Sequence, residues 1–274
     1  MRKTSSPLSA CKAALARNLL TTSPHITLDK NGYADEAVDN LIEGVMLNDF
    51  EADLRQGDGN EMEGKFRAAH SSSALGVNNF APFKTRIASL RLPSGSNFTN
   101  LQFERKCPHG LAGRRSPNLD VLAEGPKGVV AIESKCLEYL TPHAANFAPA
   151  YDREIRDHRR NGTWFAEMQK LTQDPDRYRW LDAAQLVKHS FGLSHTFPER
   201  PVTLLYLFWE PANPADFPVF AQHRGEIARF SEAVRSDGPA FEAMSYPELW
   251  DFWDRHEEVK SHVARLRARY GASV

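Results

Sequence analysis

Only three cysteines occur in the 274 residues, Cys11, Cys107 and Cys136, too few and too scattered for a disulfide framework. No apolar run approaches the roughly 20 residues needed to span a bilayer. The longest, Val202 to Trp209, has the length and the β-branched and aromatic content of a buried strand. Met1-Arg2-Lys3 opens the chain without the apolar core of a signal peptide behind it, so a cytoplasmic location is expected. Neither charge is in excess: 34 Lys and Arg against 35 Asp and Glu leave a net charge of −1. That balance excludes global attraction to nucleic acid but not a local basic rim around an acidic metal site. A Walker loop, a nucleotide-binding glycine fingerprint and a Gly-x-Ser-x-Gly elbow are all missing, as is any internal repeat.

What is present is an ordinary folding composition, 41% hydrophobic and 25% charged, with 5 Trp and 16 Phe to fill a core. Residues 1–30 read as a loosely ordered lead-in with a short helical stretch, and 31–274 as one domain ending in helices. Val38, Leu41, Ile42, Val45, Met46, Phe50 and Leu54 recur at spacings of three and four and predict a long amphipathic helix. A second helix is expected from Glu61 to Gly76. Strands are expected at 87–92, 98–104, 119–124, 129–136, 202–209 and 240–244, and helices at 164–171, 182–195 and 222–234. Ser245 and Glu248 form a capping box that opens a further helix, with Pro247 in its first turn. This order predicts an α/β fold with a mixed sheet flanked by helices.

The informative segment is Ser116-Pro117-Asn118-Leu119-Asp120, followed by Glu133-Ser134-Lys135. Between them lies Gly125-Pro126-Lys127-Gly128, a turn by composition. If Gly125 pairs with Gly128, the register carried along the two strands sets Asp120 opposite Glu133. Their Cβ atoms would then be roughly 4.5–5.5 Å apart. Lys135 falls on the same face, two residues beyond Glu133. A slip of one residue would break the match, and Pro126 is unsuited to the usual two-residue hairpin turns. Val129 to Ile132 is apolar at every position, the mark of a strand covered on both faces. Two opposed carboxylates at such a strand's end repel each other and call for a cation or a shared proton. Mg²⁺ fits, held by one or two carboxylates plus waters and substrate phosphate, with Mn²⁺ as a substitute. Lys135 would orient the attacking water or balance charge on phosphorus.

Pro117-x-x-Asp120 and Glu133-x-Lys135, on adjacent strands followed by a helix and another strand, resemble the PD-(D/E)XK nuclease superfamily. Asn118 and Leu119 separate Pro117 from Asp120, a departure in spacing. The resemblance covers about residues 60–210. It implies a restriction-endonuclease-like fold and Mg²⁺-dependent hydrolysis of phosphodiester bonds in DNA, less often RNA. It also implies an acid on the helix before the first strand, for which Glu61 is preferred over Glu63. A Gln or basic residue on the helix after the hairpin is implied too, matched by Gln185 or Lys188 on the face that also carries His189. Bland readings stand beside these: Glu61 with Lys65 as a surface pair, and Asp182 with Gln185 as a capping pair.

Glu104, at the end of the first motif strand, has two readings: an acid facing the site or, next to Arg105 and Lys106 and preferred, a strand-end charge. Arg114, Arg115, Arg153, Arg156, His158, Arg159 and Arg160 are candidate phosphate contacts, with Trp164 and Phe165 to stack on bases. Cys107, His109, Cys136 and His143 form an alternative zinc set, weakened because Cys136 would point away from Lys135 across the strand. The competing function is a nucleic-acid-binding module of the same fold without turnover. A homodimer stays open, and no membrane partner is expected.

Overall fold

Residues 6–56, 62–110, 118–154, 162–236 and 238–274 are described in a computed structural model. The chain begins with helix α1 (Pro7–Thr22), the short α2 (Glu51–Leu54) and α3 (Ser72–Phe80). A small hairpin follows, β1 (Arg91–Leu92) with β2 (Gly95–Ser96). The main sheet starts with β3 (Asn100–Lys106), β4 (Asn118–Gly125) and β5 (Gly128–Lys135). Then come α4 (Pro149–Glu154), α5 (Gly162–Gln173), α6 (Ala183–Thr196), β6 (Val202–Phe208), α7 (Pro218–Ala233), β7 (Ala240–Ser245), α8 (Tyr246–Trp253) and α9 (Lys260–Tyr270).

The five-stranded sheet has the order β3-β4-β5-β6-β7. β3, β4 and β5 pair antiparallel, whereas β6 runs parallel to both β5 and β7. A parallel pair needs a crossover, which covers the sheet with helices and demands strands that are apolar on both faces. β5 and β6 meet that demand, being buried along almost their whole length. Alternation along β5 sorts the covering layers. Gly76 of α3 lies close against Ser134, while the neighbouring Lys135 reaches α6, so α3 and α6 cover opposite faces. One continuous hydrophobic core extends from Cys11 in α1 to Ala272 beyond α9.

Local signals account for several element boundaries. The Ser245 side chain accepts from Glu248 N–H while the Glu248 carboxylate accepts from Ser245 N–H, completing the expected capping box. Gly125 and Gly128 pair directly, leaving Pro126 and Lys127 as a two-residue turn. Gly128 takes the awkward backbone there, at φ +154°, and a Cβ on it would lie 2.7 Å from the Pro201 carbonyl oxygen.

Elsewhere the fold departs from the pattern in the sequence. The short helical stretch expected at Ala10–Leu20 runs over Pro7–Thr22 and, instead of being loosely attached, buries Cys11, Ala14, Leu15 and Leu19. Its partner is α9, whose buried Arg269 donates to Leu15 O, Ala69 O and Asn40 Oδ1. The long helix expected over 38–54 is absent. Turns of 3₁₀ helix at Ala37–Asn40 and Leu47–Asp49 lead instead into α2. Gly44 between them sits at φ +87°, which a helix cannot accommodate. Met46 and Val38, expected inside, are 62% and 49% exposed. The helix expected from Glu61 is replaced, within the described residues, by a 3₁₀ turn at Lys65–Arg67 and by α3, which Ser71 caps. Ile87–Ser89 is likewise a 3₁₀ turn, and only Arg91–Leu92 of the strand expected there is extended.

Candidate active site

The β4–β5 ladder runs from Gly125↔Gly128 to Val121↔Ile132, the register that sets Asp120 opposite Glu133. At that end Asp120 Oδ2 accepts a hydrogen bond from Ser134 N–H at 2.6 Å. Lys135 returns to the face of Glu133 and donates from Nζ to Glu133 Oε1 at 2.5 Å. Behind the strand, Ser134 Oγ donates to Ser72 O at 3.3 Å and lies 2.6 Å from Tyr246 Oη. These bonds tie the site's backbone to α3 and α8.

Helix α6 supplies the wall over this strand end. Asp182 caps it by accepting from Gln185 N–H at 3.0 Å, so the capping pair that stood as an alternative to a site role for Gln185 coexists with site contact. The Gln185 side chain is free of the cap, and its Oε1 accepts from Lys135 Nζ at 2.8 Å. One turn further, His189 Nε2 lies 2.9 Å from Glu133 Oε2.

Glu104 lines the same cleft as Asp120 and Glu133, in keeping with its site-facing reading rather than the preferred one of a strand-end charge. On β3, Phe103 pairs with Val121 and Arg105 with Leu119; Glu104, level with Asp120, drops out of the ladder at φ +48°. Left-handed backbone in a non-glycine residue costs on the order of 1 kcal/mol or more and gathers at functional sites. Glu104 Oε2 accepts from Asn118 Nδ2 at 3.2 Å. Asp120, Glu133, Lys135, Gln185 and Glu104 all line one cleft of about 490 Å³. It is lined as well by Lys12 of α1, Lys65, His70 and the serines 71–73. None of these was singled out from sequence as a site residue, because α1 and α3 reach the site only through the tertiary fold.

The electrostatics separate the two acids. Burial, reinforced by Glu133 and Glu104, pushes the Asp120 carboxyl well above the usual range, against Lys135 and the Ser134 N–H. Burial acts on Glu133 too, but Lys135 and His189 together outweigh it and hold this carboxyl below its ordinary value. Lys135 would lose its proton to burial, yet Glu133, Asp120 and Glu138 hold it protonated. The cleft therefore presents one firmly ionised carboxylate, one that resists ionisation, and a retained ammonium.

Among the described residues no group of three or more His, Cys, Asp and Glu side chains is placed to hold a metal ion. The three cysteines are free and buried, and the zinc set read from the sequence does not assemble. A hard cation makes a smaller demand. Glu133 Oε2 is buried with no hydrogen-bond partner beyond its 2.9 Å approach to His189 Nε2, and Asp120 is a carboxylate whose charge a cation would relieve. Two such oxygen donors fit Mg²⁺, which keeps most of its waters.

Glu61 lies outside the described residues, and Glu63 is exposed and does not line the cleft. Lys188 is half-buried, with its ammonium 5.3 Å from the Phe147 ring centroid, and is not among the cleft residues. Arg114, Arg115, Arg156, His158, Arg159 and Arg160 lie outside the described residues, and Arg153 is in α4. Trp164 is not available to stack on a base. It is fully buried, edge-on to Phe230 and Phe241.

This mixed sheet flanked by helices is a restriction-endonuclease-like α/β fold. Residues 9–271 match the family described as restriction endonuclease associating with ARP, and the chain belongs to that family. No curated protein and no solved structure matches it. Among the described residues, no helix is long and apolar enough to cross a membrane.

Proposed function

We propose that this chain is a Mg²⁺-dependent nuclease that hydrolyses phosphodiester bonds, with DNA as its substrate. The observation that carries the reading is the convergence of Asp120, Glu133 and Lys135 at one strand end, in a cleft also lined by Lys12, Lys65 and Gln185. Asp120 and Glu133 would hold the cation. When bound, the ion polarises the scissile phosphate and lowers the pKa of a coordinated water. Lys135 supplies the fixed positive charge: held protonated, it donates to the attacking water or to a phosphate oxygen as charge builds in the transition state. Gln185 and Glu133 hold that ammonium in place from two sides. Lys12 and Lys65 sit where a phosphate backbone crossing the cleft would meet them.

The test is cleavage of duplex DNA, single-stranded DNA and RNA by purified protein, with Mg²⁺, with Mn²⁺ and with chelator. Cutting of DNA with either ion, lost in Asp120→Ala and Lys135→Ala variants that still fold, is expected. Undiminished cutting by both variants would remove the assignment. Metal-independent binding without cutting would favour a nucleic-acid-binding module.

A further inference from the structure

We propose that His189 is a positioning residue for Glu133, setting from α6 the direction in which that carboxylate is turned. The inference rests on the nuclease reading above. Each Glu133 oxygen has one nitrogen against it: Lys135 Nζ at 2.5 Å from Oε1 and His189 Nε2 at 2.9 Å from Oε2. Gln185 and His189 are four residues apart, so one face of α6 addresses both Lys135 and Glu133. Both Glu133 and His189 are 1% exposed, so water cannot stand in for either partner.

The contact has an unusual character. His189 Nε2 approaches Glu133 Oε2 to 2.9 Å, and apart from that contact neither Oε2 nor either imidazole nitrogen has a hydrogen-bond partner. An unpaired buried polar atom costs about 1–3 kcal/mol. The neighbours of His189 on this helix include the buried Leu186, Val187 and Leu193, and an aliphatic side chain at 189 would avoid the imidazole's share of that cost. A buried imidazole kept against a carboxylate oxygen points to a use, and orienting a metal-binding group from behind is such a use. With leucine in its place, Oε2 would face apolar surroundings, and the carboxylate could turn away from the cleft.

The experiment compares the wild-type chain with His189→Leu and His189→Gln; the glutamine amide restores an N–H donor near the position of Nε2. Mn²⁺ binding by calorimetry is read alongside kcat and KM on DNA and the melting temperature. The expected result is about a 10–100-fold weaker Mn²⁺ affinity and a comparable loss of kcat in His189→Leu, with KM unchanged. His189→Gln should recover most of both. Wild-type Mn²⁺ affinity in His189→Leu, or equal impairment of the two variants, overturns the inference while leaving the nuclease reading intact. Should His189→Leu not fold, His189→Asn, which withdraws the donor from Oε2, takes its place under the same criteria. A wild-type chain that neither binds Mn²⁺ nor cuts DNA overturns the nuclease reading, and this inference with it.

Discussion

Exchanging Asp120 for Asn is expected to stabilise the fold, whereas exchanging its opposite number, Glu133, for Gln destabilises it. Two unit charges about 5 Å apart at an effective dielectric of about 20 repel by roughly 3 kcal/mol. For Asp120 burial is the largest burden, Glu133 and Glu104 add to it, and the nearby Lys135 offsets part. The folded state can meet it by ionising at a cost or by holding a proton, and an amide removes either. The Asp120→Asn amide would keep the oxygen that accepts from Ser134 N–H, so no hydrogen bond is forfeited. A gain of about 1 kcal/mol follows, which is roughly 2–4 °C in melting temperature for a chain of this size. Glu133→Gln does the reverse. It breaks a buried ion pair with Lys135, whose side chain is 15% exposed, and stranding such a charge costs about 3–5 kcal/mol. Calorimetric melts at pH 8 in chelator read both signs. Repeating them in millimolar Mg²⁺ should raise the wild-type midpoint and leave Asp120→Asn unmoved, since only the native site binds the ion. If Asp120→Asn loses stability as Glu133→Gln does, Asp120 serves as a structural acceptor and the argument from charge repulsion is wrong.

Gln185→Ala removes one of the two acceptors holding the Lys135 ammonium. A charged hydrogen bond of about 1.5 kcal/mol implies roughly a tenfold fall in kcat with little change in KM, measurable by single-turnover cleavage. His223 is buried, with Arg224 beside it, and its pKa is depressed to about 3. The unfolded chain therefore binds the extra proton between about pH 6.5 and 3, and stability falls as the pH drops through that window. By linkage His223 alone makes the fold about 2 kcal/mol less stable at pH 5 than at pH 8. Urea unfolding at the two pH values should show that difference shrink by as much in His223→Gln, and an unchanged difference would count against it. Two helical glycines should respond oppositely to alanine. A Cβ on Gly192 would lie 2.4 Å from Cys107 O, while nothing lies within 4 Å of one on Gly225. Thermal melts are expected to show a loss of about 1–3 kcal/mol at Gly192 and a gain of about 0.5–1 kcal/mol at Gly225.

The part of the site legible in the sequence is the part built from neighbours along the chain. Asp120, Glu133 and Lys135 belong to a single hairpin, and its register follows from two glycines and the period of the strand. Gln185 comes from the family resemblance, which implies a Gln or basic residue on the helix that Asp182 opens. The rest depends on where remote segments land. Nothing local to Glu104 says that its backbone turns left-handed and leaves the ladder beside Asp120. Nothing in residues 1–30 says that α1 is held by Arg269, 254 residues from its partner Leu15, and brings Lys12 to the cleft. The stretch from 38 to 54 misled for the opposite reason. Its spacing is helical, but Gly44 breaks the helix, and the buried Asn40 anchors the segment by donating to Phe66 O and Ala68 O at 2.7 Å each. Apolar periodicity reports which side chains seek burial, and only the backbone's own preferences decide whether a helix delivers them.

That division between hairpin and walls bears on how the site works. The hairpin holds groups that conflict, two acids with a third beside them, all buried or half-buried. Lys135 and the Ser134 N–H relieve part of the conflict from within the hairpin; the remaining support comes from outside it, Gln185 and His189 from α6 and Ser72 and Tyr246 behind Ser134. An isolated hairpin of this sequence would keep Lys135 beside Glu133 but would lose Gln185 and His189, which hold that pair from α6. The surrounding fold acts as a scaffold that keeps an unfavourable arrangement of charge from relaxing. An arrangement so kept is the one that a divalent cation and a phosphate, arriving together, would satisfy.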